Sequence, residues 1–314
     1  MLKKKLVLIA GPTGVGKTLT SVELAKKMNT QIISCDSMQV YRGMDIGTAK
    51  VTKEEAAGIV HHMTDIIEPD EVFSVCDYVK RATAVIEDMS ERGMIPLIVG
   101  GTGLYADSLI RGIDFDSEAP ADEKYRREME KAAEQKGALY IHAMLESVDK
   151  ESAEAIHPNN VKRVIRALEY HHATGMKISD YNKKTKEIDS PYDSVRLYLT
   201  RDRENLYKRI DQRVDIMIEN GLEDEVRTLW QKGLGGKTSL QALGYKEFIE
   251  YFEGSCTFDT AVEMIKQQSR RYAKRQLTWF SRDGEGIWIN MDEFSAPEDA
   301  AEKCYSIVKE RLGI

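Results

Sequence analysis

Eight residues near the N-terminus, Gly11-Pro12-Thr13-Gly14-Val15-Gly16-Lys17-Thr18, fit the spacing GxxxxGK[ST]. Glycines in such a loop let successive backbone N–H groups turn inward on phosphate oxygens, and a helix starting there adds the positive end of its dipole. Lys17 would contact the terminal phosphate, and the Thr18 hydroxyl would hold Mg²⁺. The chemistry implied is polyphosphate binding, whether of a nucleotide or of another pyrophosphate. A kinase or hydrolase also needs a carboxylate at a neighbouring strand end to orient its metal. The run Leu97-Ile98-Val99 ends in Gly100-Gly101 without an acid, whereas Ile32-Ile33-Ser34-Cys35 ends in Asp36. Asp36 is therefore an outer ligand of the metal or a base facing the phosphate crevice. A turn or helix-capping role is the plainer alternative.

Groups of this kind need strand ends that converge on one crevice. Lys5–Ala10 reads as a buried strand, and Lys17–Met28 carries Leu19, Val22, Ala25 and Met28 at helical spacing. Gln31–Cys35 and Ile95–Val99 read as further short strands, with an amphipathic helix at Tyr78–Ser90. Alternation of this type predicts an α/β fold, a P-loop NTPase-like parallel sheet flanked by helices, with ligands at the carboxyl ends of the strands. From Asp116 to Ser190 strand-like runs vanish, and helices are predicted at Asp122–Leu145 and Lys150–Ala173. Val195–Thr200 then reads as a strand. Helices at Glu204–Gln231 and Thr260–Ser281, a strand at Gly286–Asn290 and a terminal helix follow. The expected organisation is a catalytic core of residues 1–115 and 191–314, with an all-helical insertion at 116–190.

The composition, 42 % apolar and 31 % charged over 314 residues, is that of an ordinary globular protein. No apolar run approaches the length of a membrane span. The basic start is followed by an apolar run, Leu6–Ala10, too short for a signal peptide, so a cytoplasmic protein is expected. Four cysteines (Cys35, Cys76, Cys256, Cys304) form no CxxC pair, which argues against zinc and against a disulfide framework. The adjacent pairs His61/His62 and His171/His172 point in different directions on helix or strand, and packing or hydrogen-bonding roles are expected. Net charge is −7, which speaks against nucleic acid until its distribution is considered. Lys266–Arg282 holds six basic residues and no acid, interleaved with Tyr272, Trp279 and Phe280. Arg271, Lys274 and Arg275 share one helical face with Thr278, as an RNA backbone would require. A solvated helix face is the bland reading. Lys162, Arg163 and Arg166 make a second, weaker patch.

The segments GPTGVGKT, ISCDSMQVYRGMDIGTAK, HHMTDIIEPDEVFSV, PLIVGGTGLY, IHPNNVKRVIRALE, GLEDEV, LQALGYKE and AKRQLTWF follow in this order from residue 11 to residue 280. Together they resemble the tRNA dimethylallyltransferase (isopentenyltransferase) family. Adenylate isopentenyltransferases share the early part. The resemblance here runs on through the insertion and the basic helix, which favours the tRNA branch. Eukaryotic members carry an added zinc-finger tail, so a bacterial-type member is expected. The resemblance implies transfer of a dimethylallyl group from its pyrophosphate to N6 of the adenosine 3′ of the anticodon, with Mg²⁺ as cofactor. It makes Asp36 the base, sets Thr13 and Thr18 beside the pyrophosphate, and aligns Arg213 with an arginine at the leaving group. Its tRNA-contacting positions fall on Asp36, Ser37, Met38, Gln39, Thr102, Tyr125, Lys162, Arg163, Arg166, Gln241, Gly244, Tyr245 and Lys246. Thr102 also fits a plain helix N-cap. The insertion is expected to clamp the anticodon stem on hinges near Gly112–Pro120 and Ser190-Pro191, and a monomer is the default expectation. The competing readings are an adenylate isopentenyltransferase, a P-loop kinase or NTPase, and a non-catalytic RNA binder.

Overall fold

In the computed structural model, which describes residues 3–113, 122–187, 189–234 and 238–314, the chain forms two compact units. The first comprises Met1–Ile110 and Pro191–Ile314, the second Arg111–Ser190. Of the expected hinges, residues 114–120 lie outside the described residues.

The first unit opens with β1 (Lys4–Ala10), α1 (Lys17–Met28), β2 (Ile32–Cys35), α2 (Lys53–Ala56), β3 (His61–His62), α3 (Val75–Glu91), β4 (Leu97–Gly100) and α4 (Gly103–Arg111). The second unit contains α5 (Glu123–Lys136), α6 (Ala138–Val148), α7 (Lys150–Ala155), α8 (Val161–Thr174) and α9 (Ile178–Glu187). The chain then returns with β5 (Tyr192–Thr200), α10 (Arg203–Glu219), α11 (Leu222–Leu229), α12 (Lys246–Phe252), α13 (Phe258–Phe280), β6 (Ile287–Asn290) and α14 (Pro297–Leu312). The six strands lie in the order β3-β2-β4-β1-β5-β6, and every pair is parallel. The fold is α/β, a parallel sheet flanked by helices.

β1 sits in the middle because nothing on it is polar after Lys5. Leu6, Val7, Leu8, Ile9 and Ala10 are all buried, as a strand covered on both faces must be. One core cluster joins Val7 and Ile9 to Leu24 of α1, Leu197 of β5 and Cys304 and Val308 of α14. Another gathers Val40, Tyr41 and Met44 with Val226, Tyr245 and Phe248. The helical unit has its own core around Ile141, Leu145, Val164 and Leu168.

Glycines break two helices that the periodicity runs together. Gly137, at φ +87°, separates α5 from α6, and Gly221, at φ +91°, separates α10 from α11. The sixth strand, β3, is only His61–His62, too short to show a period. His61 Nδ1 meets the Ile59 carbonyl at 3.0 Å, and His62 Nε2 meets Gln31 Oε1 at 2.8 Å. None of the four cysteines, all among the described residues, forms a disulfide. Burial raises the Cys35 and Cys304 thiols to about 12, so both are inert.

Candidate active site

The phosphate loop bends where only glycine bends without strain. Gly11 has φ +152°, and a Cβ there would meet the Leu199 carbonyl oxygen at 2.5 Å. Gly14 has φ +78° and lies against Ile210. α1 begins at Lys17, with Gly16 at its cap in a left-handed conformation. The Lys17 ammonium donates to the carbonyls of Gly11 and Pro12 at 2.9 and 2.8 Å. Val15, fully buried, anchors the loop in the core.

Three side chains from distant parts of the chain hold this loop. Arg201, just past β5, donates through Nε to the Val15 carbonyl at 3.0 Å and pairs with Asp292 at 2.5 Å. Arg209 of α10 donates through Nε to the Gly14 carbonyl at 3.0 Å. Gln276 of α13 accepts the Thr13 N–H at 2.9 Å and donates to the Gly101 carbonyl at 3.0 Å. Sequence reasoning missed all three in this role. Their partners are backbone atoms, which have no residue type to read.

A cavity of about 510 Å³ opens beside the loop. It is lined by Thr13, Gly14, Gly16, Lys17 and Thr18, by Asp36, Ser37, Met38 and Gln39, by Arg209 and Arg213, and by Gln241, Gly244, Lys246 and Arg275. Five sequence-predicted groups, far apart in the chain, thus share one space: the loop, Asp36–Gln39, Arg213, the segment from Gln241 to Lys246, and Arg275. Asp36 follows β2 directly, and its Oδ1 accepts the Met38 N–H at 2.9 Å, an Asx turn that aims the carboxylate. Thr102, at the start of α4, accepts the Ser37 N–H at 3.0 Å through Oγ1. It thereby braces the Asp36 loop, while its carbonyl accepts the Tyr105 and Ala106 N–H groups at the start of the helix. Gln39 turns inward too, taking the Ser34 hydroxyl at 2.8 Å and donating to the Thr48 and Ala49 carbonyls at 3.3 and 3.4 Å.

The electrostatics converge on Lys17. Loss of water around the ammonium, reinforced by the Arg213 guanidinium and opposed by Asp36, lowers its pKa to about 7. Burial also lowers Arg213, with Asp36 acting the other way. Two cations held close in a half-buried space form a strong anion site.

Some expected contacts are elsewhere. Tyr245 corrects the tRNA-binding reading. Its side chain is fully buried, and its hydroxyl donates to Glu225 at 2.7 Å. The acid-free stretch of α13 is also less free than its sequence suggests. Lys266 pairs with Asp215 at 2.6 Å and Arg270 pairs with Asp211, both acids from α10. Phe280 is core, and Trp279 donates its indole N–H to Asp107 at 2.8 Å. Arg271, Lys274 and Arg275 are exposed on one face.

Within the second unit, Lys162 and Arg163 are exposed on α8. Arg166 reaches the buried Glu169 at 3.5 Å, and Arg126 holds the same carboxylate at 3.0 and 2.9 Å. Tyr125 stacks on His172, ring centroids 4.1 Å apart and 5° from parallel.

Among the described residues no group of three or more His, Cys, Asp or Glu is arranged to hold a metal. Thr18 and Asp36 nonetheless line the same cavity. One hydroxyl and one carboxylate suit a magnesium ion that keeps several waters and shares phosphate oxygens. No helix among the described residues is long and apolar enough to cross a membrane.

Known proteins resemble this chain closely. The family model described as IPP transferase matches residues 39–283. A tRNA dimethylallyltransferase from Geobacillus thermodenitrificans (strain NG80-2) is 49 % identical over 308 residues, covering 98 % of this chain and 96 % of that protein. One from Bacillus cereus (strain AH187) is 51 % identical over 291 residues, covering 93 % and 91 %. The crystal structure of a full-length tRNA isopentenylpyrophosphate transferase from Bacillus halodurans is similar with a TM-score of 0.75, at 46 % identity, over 99 % of this chain and 97 % of that one. A eukaryotic dimethylallyltransferase, seen in crystallographic snapshots acting on tRNA, has a TM-score of 0.86 at 30 % identity, over 99 % and 80 %. With its family model matched over most of its length and relatives near half identical along nearly all of it, the chain belongs to the IPP transferase family.

Proposed function

We propose that the cavity beside the phosphate loop transfers a dimethylallyl group from its pyrophosphate to N6 of the adenosine 3′-adjacent to the anticodon of tRNA. The chain is a transferase of tRNA, as its relatives are. The observation that carries the residue-level reading is that Asp36, Lys17 and Arg213 line one cavity with the loop. When pyrophosphate leaves, charge builds on its oxygens. The loop amides, Lys17 and Arg213 stabilise that charge more than the substrate's, which lowers the barrier. A divalent cation held by Thr18, with Asp36 reached through water, would add to the same neutralisation.

The electron-poor allylic carbon must meet adenine before it meets water. Ile210, Val214, Met217, Leu243 and Ile265 give the cavity an apolar side suited to a five-carbon chain. Adenine N6 is nearly non-basic, since its lone pair is delocalised into the ring. As the C–N bond forms, Asp36 takes the N6 proton, general-base help of about 10²–10⁴ in rate. The target base has to leave its stack to enter, which costs a few kcal/mol. Gln241, Gly244 and Lys246 support recognition of that base, and the exposed Arg271, Lys274 and Arg275 support the RNA backbone. Lys162 and Arg163 would do the same from the helical unit, the clamp in this reading.

The test is transfer of radiolabelled dimethylallyl from its pyrophosphate to unmodified tRNA, with AMP as the alternative acceptor. Asp36→Asn keeps an oxygen for the Met38 N–H and removes the base, and saturating donor offsets its effect on Lys17. Label in tRNA but not in AMP, reduced about 10²–10⁴-fold by Asp36→Asn at saturating dimethylallyl pyrophosphate, is expected. Label in AMP, or full activity in the variant, overturns the reading.

A further inference from the structure

Two of the sequence motifs, the second half of DSMQVYRGMDIGTAK and the segment GLEDEV, have no part in the chemistry above, and a third, LQALGYKE, enters it only at Gln241, Leu243, Gly244 and Lys246. They meet at one carboxylate. Glu225 of α11 accepts the N–H groups of Asp45 and Ile46 at 2.8 Å each through Oε2, and that of Gly47 at 3.1 Å through Oε1. The Tyr245 hydroxyl also donates to Oε1 at 2.7 Å. Three consecutive amides directed at one anion form a nest, here filled by a side chain of the protein itself.

Both segments that Glu225 joins are walls of the cavity. Gly47, Thr48 and Ala49 line it on one side, and Gln241–Gly244 with Lys246 line it on another. Packing makes the join close. A Cβ on Gly47 would meet the Tyr245 ring at 2.5 Å, so that ring packs on the Gly47 backbone as near as glycine allows. Gln39 fastens the far end of the first wall through the Thr48 and Ala49 carbonyls. Lys50, its side chain 7 % exposed, pins that wall's base to Asp45 and Asp65. Glu225 makes none of these contacts to the phosphate loop.

We propose that Glu225, with Tyr245 as its partner, is a positioning residue for the acceptor. It sets the spacing of the two walls between which the RNA base is received, and it leaves the pyrophosphate seat untouched. The proposal rests on the dimethylallyl-transfer reading above. Hydrogen bonds to a charged acceptor are stronger than neutral ones, and loss of one is worth about tenfold in an equilibrium constant. Glu225→Gln keeps the shape and one accepting oxygen but turns an NH₂ toward the Gly47 N–H. Tyr245→Phe removes one hydroxyl and keeps the ring packed on Gly47.

Steady-state transfer to tRNA is measured for the full chain and both variants, with pyrophosphate affinity by calorimetry as an independent readout. The expected result is a KM for tRNA raised about tenfold in Glu225→Gln and less in Tyr245→Phe, with the pyrophosphate Kd unchanged in both. The double variant should be no worse than Glu225→Gln alone, since both act at Glu225 Oε1. An unchanged KM for tRNA in both single variants overturns the proposal. So does a parallel loss of pyrophosphate binding, which would mark Glu225 as a support for the fold at large. If the unaltered protein binds pyrophosphate yet labels no RNA, the transfer reading fails instead and takes the positioning role with it.

Discussion

The pKa of Lys17 makes a sharp prediction about the pyrophosphate seat. Burial and the neighbouring Arg213 bring this ammonium to about 7, while Asp36 holds it up. A bound pyrophosphate adds several negative charges beside it and restores the protonated form well above neutrality. The group's pKa is therefore higher with the ligand than without, so binding takes up a proton above pH 7. Affinity is fully present below that value and is lost as the pH rises through it. Half the lysines are protonated at the midpoint and about one in a hundred two pH units above it. The contribution thus falls about 50-fold between pH 7 and pH 9, roughly 2.3 kcal/mol. Titration calorimetry with pyrophosphate at several pH values measures it. Comparison with Lys17→Met cancels the ionisation of the ligand itself. The neighbours supply signed controls. Arg213→Met removes a like charge and shifts the inflection upward, whereas Asp36→Asn removes an opposite charge and shifts it downward. Parallel curves for the unaltered protein and Lys17→Met across this range would refute the reasoning.

Gly11→Ala should abolish pyrophosphate binding, because its Cβ would come within 2.5 Å of the Leu199 carbonyl. Calorimetry on the folded variant checks it, and any measurable binding would show that the loop can shift. Replacing Arg271, Lys274 and Arg275 together by alanine should weaken tRNA binding and flatten its salt dependence, the slope of log K against log[salt] falling by about 2. Filter binding over a range of salt reads that slope. Arg126→Ala leaves the buried Glu169 carboxylate with its weaker partners, Arg166 and the Asp122 N–H. A loss of about 2 kcal/mol in the helical unit is expected by denaturant unfolding, with pyrophosphate affinity unaltered.

The parts of the site visible in the sequence are those whose chemistry lies in residue type. A glycine loop ending in Lys17-Thr18 and an acid at a strand end are readable because phosphate and proton transfer admit few substitutes. The resemblance added Arg213, Gln241, Gly244 and Lys246, and they line the same cavity. Arg201, Arg209 and Gln276 were hidden because they bind carbonyls and an amide more than 180 residues away in the chain. The basic run on α13 misled in part, since a local window cannot see Asp211 and Asp215 on α10. Tyr245 misled for a related reason: the resemblance marks a whole segment as tRNA-contacting and does not carry the burial of one side chain against Gly47. For the fold, β1, α1 and β5 stand out because burial on both faces writes a continuous apolar run or a clean helical stripe. The breaks at Gly137 and Gly221 are written in single residues, which a periodic pattern averages away.

Gln276 ties two distant tasks to one measure of length. Its oxygen takes the Thr13 N–H and its nitrogen gives to the Gly101 carbonyl, so its amide bridges the turns that end β1 and β4. The next residue back, Arg275, is exposed on the basic face of the same helix. α13 therefore cannot slide along its axis without withdrawing an oxygen from the phosphate loop. The helix behaves as a gauge block, fixing how far the backbone-binding charges stand from the donor's seat. That distance is held by the register of a helix rather than by the reach of any flexible arm.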